Sequence, residues 1–230
     1  ATGEYVHFMD SDDWIEPDTY QHCMELIDAY KRPDLTRFGF VVTKSERRLT
    51  QNEERIRVLN KRGMFEYFFR IHGEASNYSI WDKLIRREIL KGFAFRETMF
   101  EDVEACYDFY SRASSMVETS FIFYNYFKNP VSITNSCVKD KDLNLLAVWD
   151  RLVARTNREN PAFENAALWN RKRAAFTILA KMLLKGTDKK SVELSRMKPI
   201  LKTEVRKNFF SLFFGKMPIS RKVLLILVAL

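Results

Sequence analysis

The sequence predicts an α/β layered region followed by a basic, all-helical region. Three observations carry this reading. As far as residue 138, short apolar runs rich in β-branched and aromatic residues alternate with helix-period segments. From residue 139 onward the patterned segments have helix period, with Lys and Arg spread over their polar faces. The charge divides at nearly the same place: residues 1–140 carry −4 (19 basic, 23 acidic) and residues 141–230 carry +12 (19 basic, 7 acidic). The expected domains are therefore 1–138 and 139–230.

Ala1–Glu4 reads as a frayed helix end stopped by Gly3. Tyr5–Met9 follows as a short buried strand, and four polar residues, Asp10–Asp13, come at once. Pro17 then opens a helix through about Tyr30, in the first turn where its missing N–H costs nothing. A second strand is expected at Leu35–Lys44, with Arg47–Thr50 as its hairpin partner. Helical patterning returns over Asn52–Lys61 and Met64–His72, and Ser79–Lys91 reads as an irregular entry to a helix. Thr98–Ala113 is predicted helical, and Met116–Thr119 and Phe121–Phe127 as two strands. After Asn129-Pro130, helices are expected at Asp142–Asn157, Pro161–Lys185, Lys189–Met197 and Pro199–Phe214. The chain then closes with the apolar run of Pro218–Leu230.

Composition removes several function classes. The 230 residues are 46% hydrophobic and 30% charged, which suits a globular chain with a sizeable core. Seven glycines, widely spaced, form neither a G-x-G-x-x-G nor a G-x-x-x-x-G-K loop, so any phosphate is held by other means. Three distant cysteines without C-x-x-C spacing argue against a disulfide framework and a zinc site, and fit a reducing compartment. The three histidines offer no pair of metal ligands. No signal-peptide pattern is read, and no apolar run reaches the roughly 20 residues of a spanning helix.

The strongest chemical signal is Asp10-Ser11-Asp12-Asp13 at the end of the first apolar strand. In open α/β sheets ligands gather at the carboxyl ends of strands. Three carboxylates within four residues repel one another unless a cation lies between them, and Mg²⁺ or Mn²⁺ takes one or two carboxylates together with substrate phosphates. A solvated acidic turn with a helix cap is the plain alternative. Glu101-Asp102 is the second acidic pair. Thr98-Met99-Phe100-Glu101 also fits a capping box, a structural role for Glu101. Trp81 can equally be core, Asp82 and Lys83 a surface pair contributing little, and the aromatic run 121–127 a buried strand.

Gly3 to Pro17, with its D-x-D element followed by Trp14 and Pro17, closely resembles the central motif of family 2 glycosyltransferases. Trp81-Asp82-Lys83-Leu84 is similar to that family's W-(N/D)-K-L segment near the acceptor, and Phe100-Glu101-Asp102 to its E-D pair. The resemblance covers residues 1 to about 135. It implies a GT-A-like fold, a partial Rossmann-like mixed sheet flanked by helices, ahead of the basic helical C-terminal region. It further implies that Asp12 binds Mg²⁺ or Mn²⁺, with Asp10 beside the same metal or the donor ribose. Asp102 would be the general base, and Asp13, Trp81, Asp82, Lys83 and Glu101 would bind substrate. The family's first βα units, which hold base and ribose, have no counterpart upstream of the D-x-D strand, so the chain reads as a fragment.

The function expected from this resemblance is inverting, metal-dependent transfer of a sugar from a nucleotide-sugar donor, a UDP-sugar first, to a glycan or lipid-linked acceptor. Its setting would be bacterial surface polysaccharide synthesis. The +12 region and the terminal apolar run suit an interfacial helix on an anionic membrane, giving a cytoplasmic protein peripheral on the inner face of the cell membrane. No nucleic-acid-binding motif is present, so nucleic acid is not an expected partner. The alternatives are a Mg²⁺-dependent nucleotidyltransferase and a catalytically incompetent membrane-docking fragment.

Overall fold

In the computed structural model, residues 1–44, 53–73, 78–128 and 136–230 are described. The chain divides into two units: Ala1–Phe65, Asn77–Phe95 and Ala105–Pro130 form the first, and Glu66–Ser76, Arg96–Glu104 and Val131–Leu230 the second.

The first unit is built on a mixed sheet of six strands: β1 (Tyr5–His7), β2 (Trp14–Ile15), β3 (Leu35–Thr43), β4 (Ile56–Asn60), β5 (Lys83–Arg86) and β6 (Ser115–Phe127). They run in the order β1-β5-β3-β6-β2, and β4 pairs with the other end of β6. Only β3 and β6 are parallel; the remaining pairs are antiparallel. The aromatic run is thus the last part of one 13-residue strand and not a separate strand, because β3 pairs along both its parts, from Met116 to Phe127. Between Arg37 and Phe40 the β3–β6 register shifts. There a Cβ on Gly39 would lie 2.9 Å from the Phe121 carbonyl oxygen, so the shift requires glycine. Helix α1 (Thr19–Ala29) buries Thr19, Cys23, Leu26 and Ile27, one face at helical spacing. Cys23 and Ile27 join Phe38, Trp81, Leu84, Phe123 and Tyr124 in the core, where burial pushes the Cys23 thiol up to about 12.

Three further expected elements differ. Ala1–Glu4 is not helical. The helix expected over Asn52–Lys61 is strand β4 from Ile56 to Asn60, since it gains the antiparallel edge of Ser115–Thr119. Asn52 and the expected hairpin partner Arg47–Thr50 lie outside the described residues. In place of a helix after Ser79, Lys83–Arg86 forms β5 between β1 and β3, and only a 3₁₀ turn, Arg87–Leu90, follows. A segment of only four residues gains more from two ladders than from one helical turn.

Helix α2 (Lys61–Phe68) and helix α3 (Glu101–Arg112) each cross from one unit's segments to the other's. The second unit is otherwise helical: α4 (Asn144–Glu159), α5 (Glu164–Lys185), α6 (Val192–Lys207), α7 (Phe209–Phe213) and α8 (Ile219–Ala229). Helix α5 is central, packing on α4, α6, α7 and α8, and its buried Ala167, Ala174, Ala175 and Ala180 offer little bulk to the helices packed on it. Asp142, buried, accepts from Lys181 Nζ at 2.6 Å and from the Lys139 N–H at 2.8 Å.

The helix break expected at Pro199 does not occur; α6 runs through it. An interior proline costs about 3 kcal/mol, whereas burying Leu194, Leu201 and Val205 supplies about 1.5–3 kcal/mol each, so packing wins. Among the described residues no helix is long and apolar enough to cross a membrane.

Candidate active site

Strand β1 ends at His7, and the acidic turn begins three residues later. The turn closes on itself, the Asp13 N–H donating to the Asp10 carbonyl at 3.3 Å. Its three carboxylates have different surroundings. Asp10 and Asp12 are exposed, while Asp13 is 8% exposed. Asp13 accepts the Tyr124 hydroxyl at 2.7 Å on one oxygen and the Phe127 N–H at 2.7 Å on the other. A carboxylate leaving water needs such donors, and two good ones satisfy it. The acidic stretch is therefore one buried anchor carrying two solvent-facing carboxylates.

All three aspartates act on Tyr126: burial first, then Asp13, Asp10 and Asp12 in turn, raises its phenol pKa. Burial and the Asp13 contact raise that of Tyr124 further. Both tyrosines lie on one face of β6, two residues apart, and both stack on Trp81, at 4.4 Å and 5.6 Å between centroids. Trp81 is 8% exposed and belongs to the core cluster. Its carbonyl accepts from His7 Nε2 at 2.6 Å. That oxygen can only accept, so His7 carries its proton on Nε2, and Nδ1 faces the Tyr20 hydroxyl at 3.1 Å. Burial holds the imidazole below its ordinary pKa, against the opposing pull of the Trp81 carbonyl and Asp82.

Asp82 and Lys83 are not the surface pair that charge alone suggests. Both side chains are fully buried and in direct contact. Asp82 also takes Arg37 Nε at 2.9 Å, Arg37 extends to Glu118 at 3.0 Å, and Lys83 Nζ donates to the Ser79 carbonyl at 2.5 Å. Burial alone would raise the Asp82 pKa, but Lys83 and Arg37 outweigh it and hold it below the usual carboxylate range. Lys83 is the mirror case: burial opposes its charge, and Asp82 raises its pKa in spite of that. The pair is ionised, and it ties β3, β5 and β6 together behind the tryptophan.

Glu101 and Asp102 are the first two residues of α3, half-buried, in a segment of the second unit. The expected capping box does not form. Phe100 adopts φ 70°, the left-handed region uncommon for a non-glycine residue. Glu101 is consequently the first helical residue and not the third, while the Thr98 hydroxyl donates to the Met99 carbonyl. Glu101, Asp102 and Glu104 all fall in the first turn, where the helix dipole favours negative charge. Glu104, buried, is held bidentately by Arg151 at 2.9 and 2.7 Å.

Among the described residues no group of three or more His, Cys, Asp or Glu side chains is gathered as a metal cage. Two exposed carboxylates do fit a Mg²⁺ or Mn²⁺ ion that takes its remaining ligands from water and a diphosphate. Sequence reasoning did not single out Tyr124, Tyr126, His7 or Arg37. The period-two spacing of Tyr124 and Tyr126 marks a shared face, but nothing local reveals that the acidic turn lies on it.

Residues 1–93 match the model of glycosyl transferase family 2. No curated protein matches the chain in sequence. Among solved structures, residues 1–349 of S. aureus TarS in complex with UDP-GlcNAc align at 17% identity and a TM-score of 0.57, over 97% of this chain and 60% of that one. The same protein with UDP gives 16% and 0.55, over 99% and 63%. A structure of S. aureus TarS aligns at 16% and 0.52, over 97% of this chain and 36% of that one. The chain thus spans about three-fifths of the length of TarS 1–349, and at these identities the likeness speaks for the fold. The family model is thus matched on the very strand and turn that carry Asp10 to Asp13, so residues 1–93 are similar to glycosyl transferase family 2, and the fold is GT-A-like.

Proposed function

We propose that the chain is part of an inverting glycosyltransferase that moves a sugar from a nucleotide-sugar donor to an acceptor hydroxyl. The observation that carries the proposal is the pair of exposed carboxylates, Asp10 and Asp12, on a turn anchored by buried Asp13 within the family-matched region. The UDP-GlcNAc and UDP in the TarS structures support a UDP-sugar donor. Asp12, with Asp10, would hold Mg²⁺ or Mn²⁺, which when bound supplies positive charge for the departing diphosphate. Asp102 accepts the acceptor hydroxyl's proton, and the freed oxygen forms the new bond to the anomeric carbon. The bond from that carbon to the diphosphate oxygen breaks on the opposite face, so configuration inverts. Glu101, beside Asp102 at the same helix start, contacts the acceptor. Asp13, Trp81, Asp82 and Lys83 serve substrate binding from behind the aspartate turn. The acceptor is a glycan or lipid-linked glycan of surface polysaccharide synthesis.

The test uses the longest form of the protein that its gene encodes. Asp12→Ala abolishes Mn²⁺-dependent binding of UDP in calorimetry while the protein still unfolds cooperatively; unchanged binding refutes the assignment. Release of pyrophosphate instead of UDP from the donor would identify nucleotidyl transfer.

The second unit carries a surface that docks on an anionic membrane face. Residues 196–230 hold eight Lys and Arg against one acidic residue, Glu204. On α8, Ile219, Val223 and Leu227 form an exposed apolar stripe at helical spacing, continued by Leu230 just past its end, and Phe210 and Phe214 are also exposed. Such a face, with basic residues around it, fits anionic lipid, each cation contributing about 1 kcal/mol. Co-sedimentation with phosphatidylglycerol vesicles that falls in high salt and is lost in Val223→Glu/Leu227→Glu is expected; equal retention by neutral vesicles argues against it.

A further inference from the structure

We infer that Tyr124 is a positioning residue for the aspartate turn, and that Trp81 acts through it. Its hydroxyl lies between the two ends of Asp10–Asp13. It donates to Asp13 Oδ2 at 2.7 Å and accepts the Asp10 N–H at 3.3 Å. One oxygen atom therefore fixes the first and last residues of the turn, and Asp12, between them, has its backbone set from both sides.

The tyrosine is itself held. Its ring is fully buried and stacks on Trp81 at an interplanar angle of 19°. Phe40 meets the indole edge-on at 4.9 Å, and His7 grips the Trp81 carbonyl. The next residue, Asp82, receives Arg37, and its carbonyl accepts the Phe38 N–H at 3.1 Å. His7 belongs to β1, whose continuation is the turn. The contacts thus close a ring: β1 to Trp81, Trp81 to Tyr124, and Tyr124 back to the turn three residues beyond β1.

The chemistry explains why such a ring is needed. Asp10 and Asp12 are exposed like charges, and they repel one another. A site for a diphosphate-bound cation needs their oxygens held together before it arrives, and small misplacements of such groups cost large factors in function. Tyr124 supplies this order through its hydroxyl, from the two ends of the turn.

This inference rests on the reading of the turn as a diphosphate–metal site. The experiment titrates Mn²⁺ and UDP into wild type, Tyr124→Phe and Tyr107→Phe by calorimetry, with thermal unfolding and amide exchange followed in parallel. Tyr107 is a buried tyrosine of α3 that packs on Phe65. Phenylalanine at 124 keeps the stack and removes only the hydroxyl. The expected result is about tenfold weaker Mn²⁺–UDP affinity in Tyr124→Phe, faster exchange at the Asp10 amide, and affinity within about twofold of wild type in Tyr107→Phe. Should Tyr124→Phe not fold, Asp13→Ala removes the other partner and is expected to weaken affinity by a similar factor. Equal affinity in wild type and Tyr124→Phe, whatever the melting temperatures, overturns the inference alone. Absence of Mn²⁺–UDP binding in wild type overturns the reading of the turn and the inference with it.

Discussion

Replacing Lys83 with methionine removes a buried cation while nearly conserving volume, and its cost can be worked from the contacts. Lys83 and Asp82 have no exposed side-chain surface. Had they been an exposed pair, the loss would be about 0–1 kcal/mol. Removing one partner of a buried pair instead costs about 3–5 kcal/mol, because the remaining charge stays out of water. Two details set the value within that range. Asp82 keeps Arg37, itself 11% exposed, which limits the damage. The Ser79 carbonyl loses the ammonium that now donates to it, which adds to it. An expectation of about 3–4 kcal/mol follows. With a urea slope of about 2 kcal/mol/M, the unfolding midpoint falls by about 1.5–2 M. Intrinsic fluorescence follows the transition directly, since Trp81 adjoins the pair. Asp82→Asn/Lys83→Met should lose less than the two single variants together, as both charges are gone. A midpoint for Lys83→Met within about 0.3 M of wild type, below 1 kcal/mol, would show that the pair is solvated and the reasoning wrong.

Two further outcomes are expected. Asp102→Asn retains UDP binding and slows sugar transfer by about 10²–10⁴-fold, the usual contribution of a positioned base; a near-normal rate in a radiolabelled transfer assay assigns the proton to another group. His7, whose folded-state pKa lies below its ordinary value near 6.5, binds its proton more readily when unfolded. Its contribution to stability is therefore present above about pH 6.5 and is lost as pH falls through the lower folded value. Urea midpoints of wild type should drop more steeply than those of His7→Gln between about pH 6.5 and 5, and parallel curves would contradict this.

The sequence alone determined the features that are local or linear. The strand entering Asp10–Asp13, the order of the three motifs and the excess of basic residues past residue 140 were legible because each lies within one stretch of chain. Helices α1 and α4 were legible for the same reason, their apolar faces repeating at a single period. Tertiary structure decided whatever depends on a partner far along the chain. Residues 56–60 and 83–86 became strands only because β6, β1 and β3 offer them ladders. The three aspartates look alike in sequence, yet a tyrosine 111 residues away makes Asp13 an anchor and leaves Asp10 and Asp12 facing water. Asp82 and Lys83 look like a surface pair until three strands close over them. Periodicity reports which face a residue shares with its neighbours, whereas burial and hydrogen-bond partners are set by whichever distant segment packs on that face.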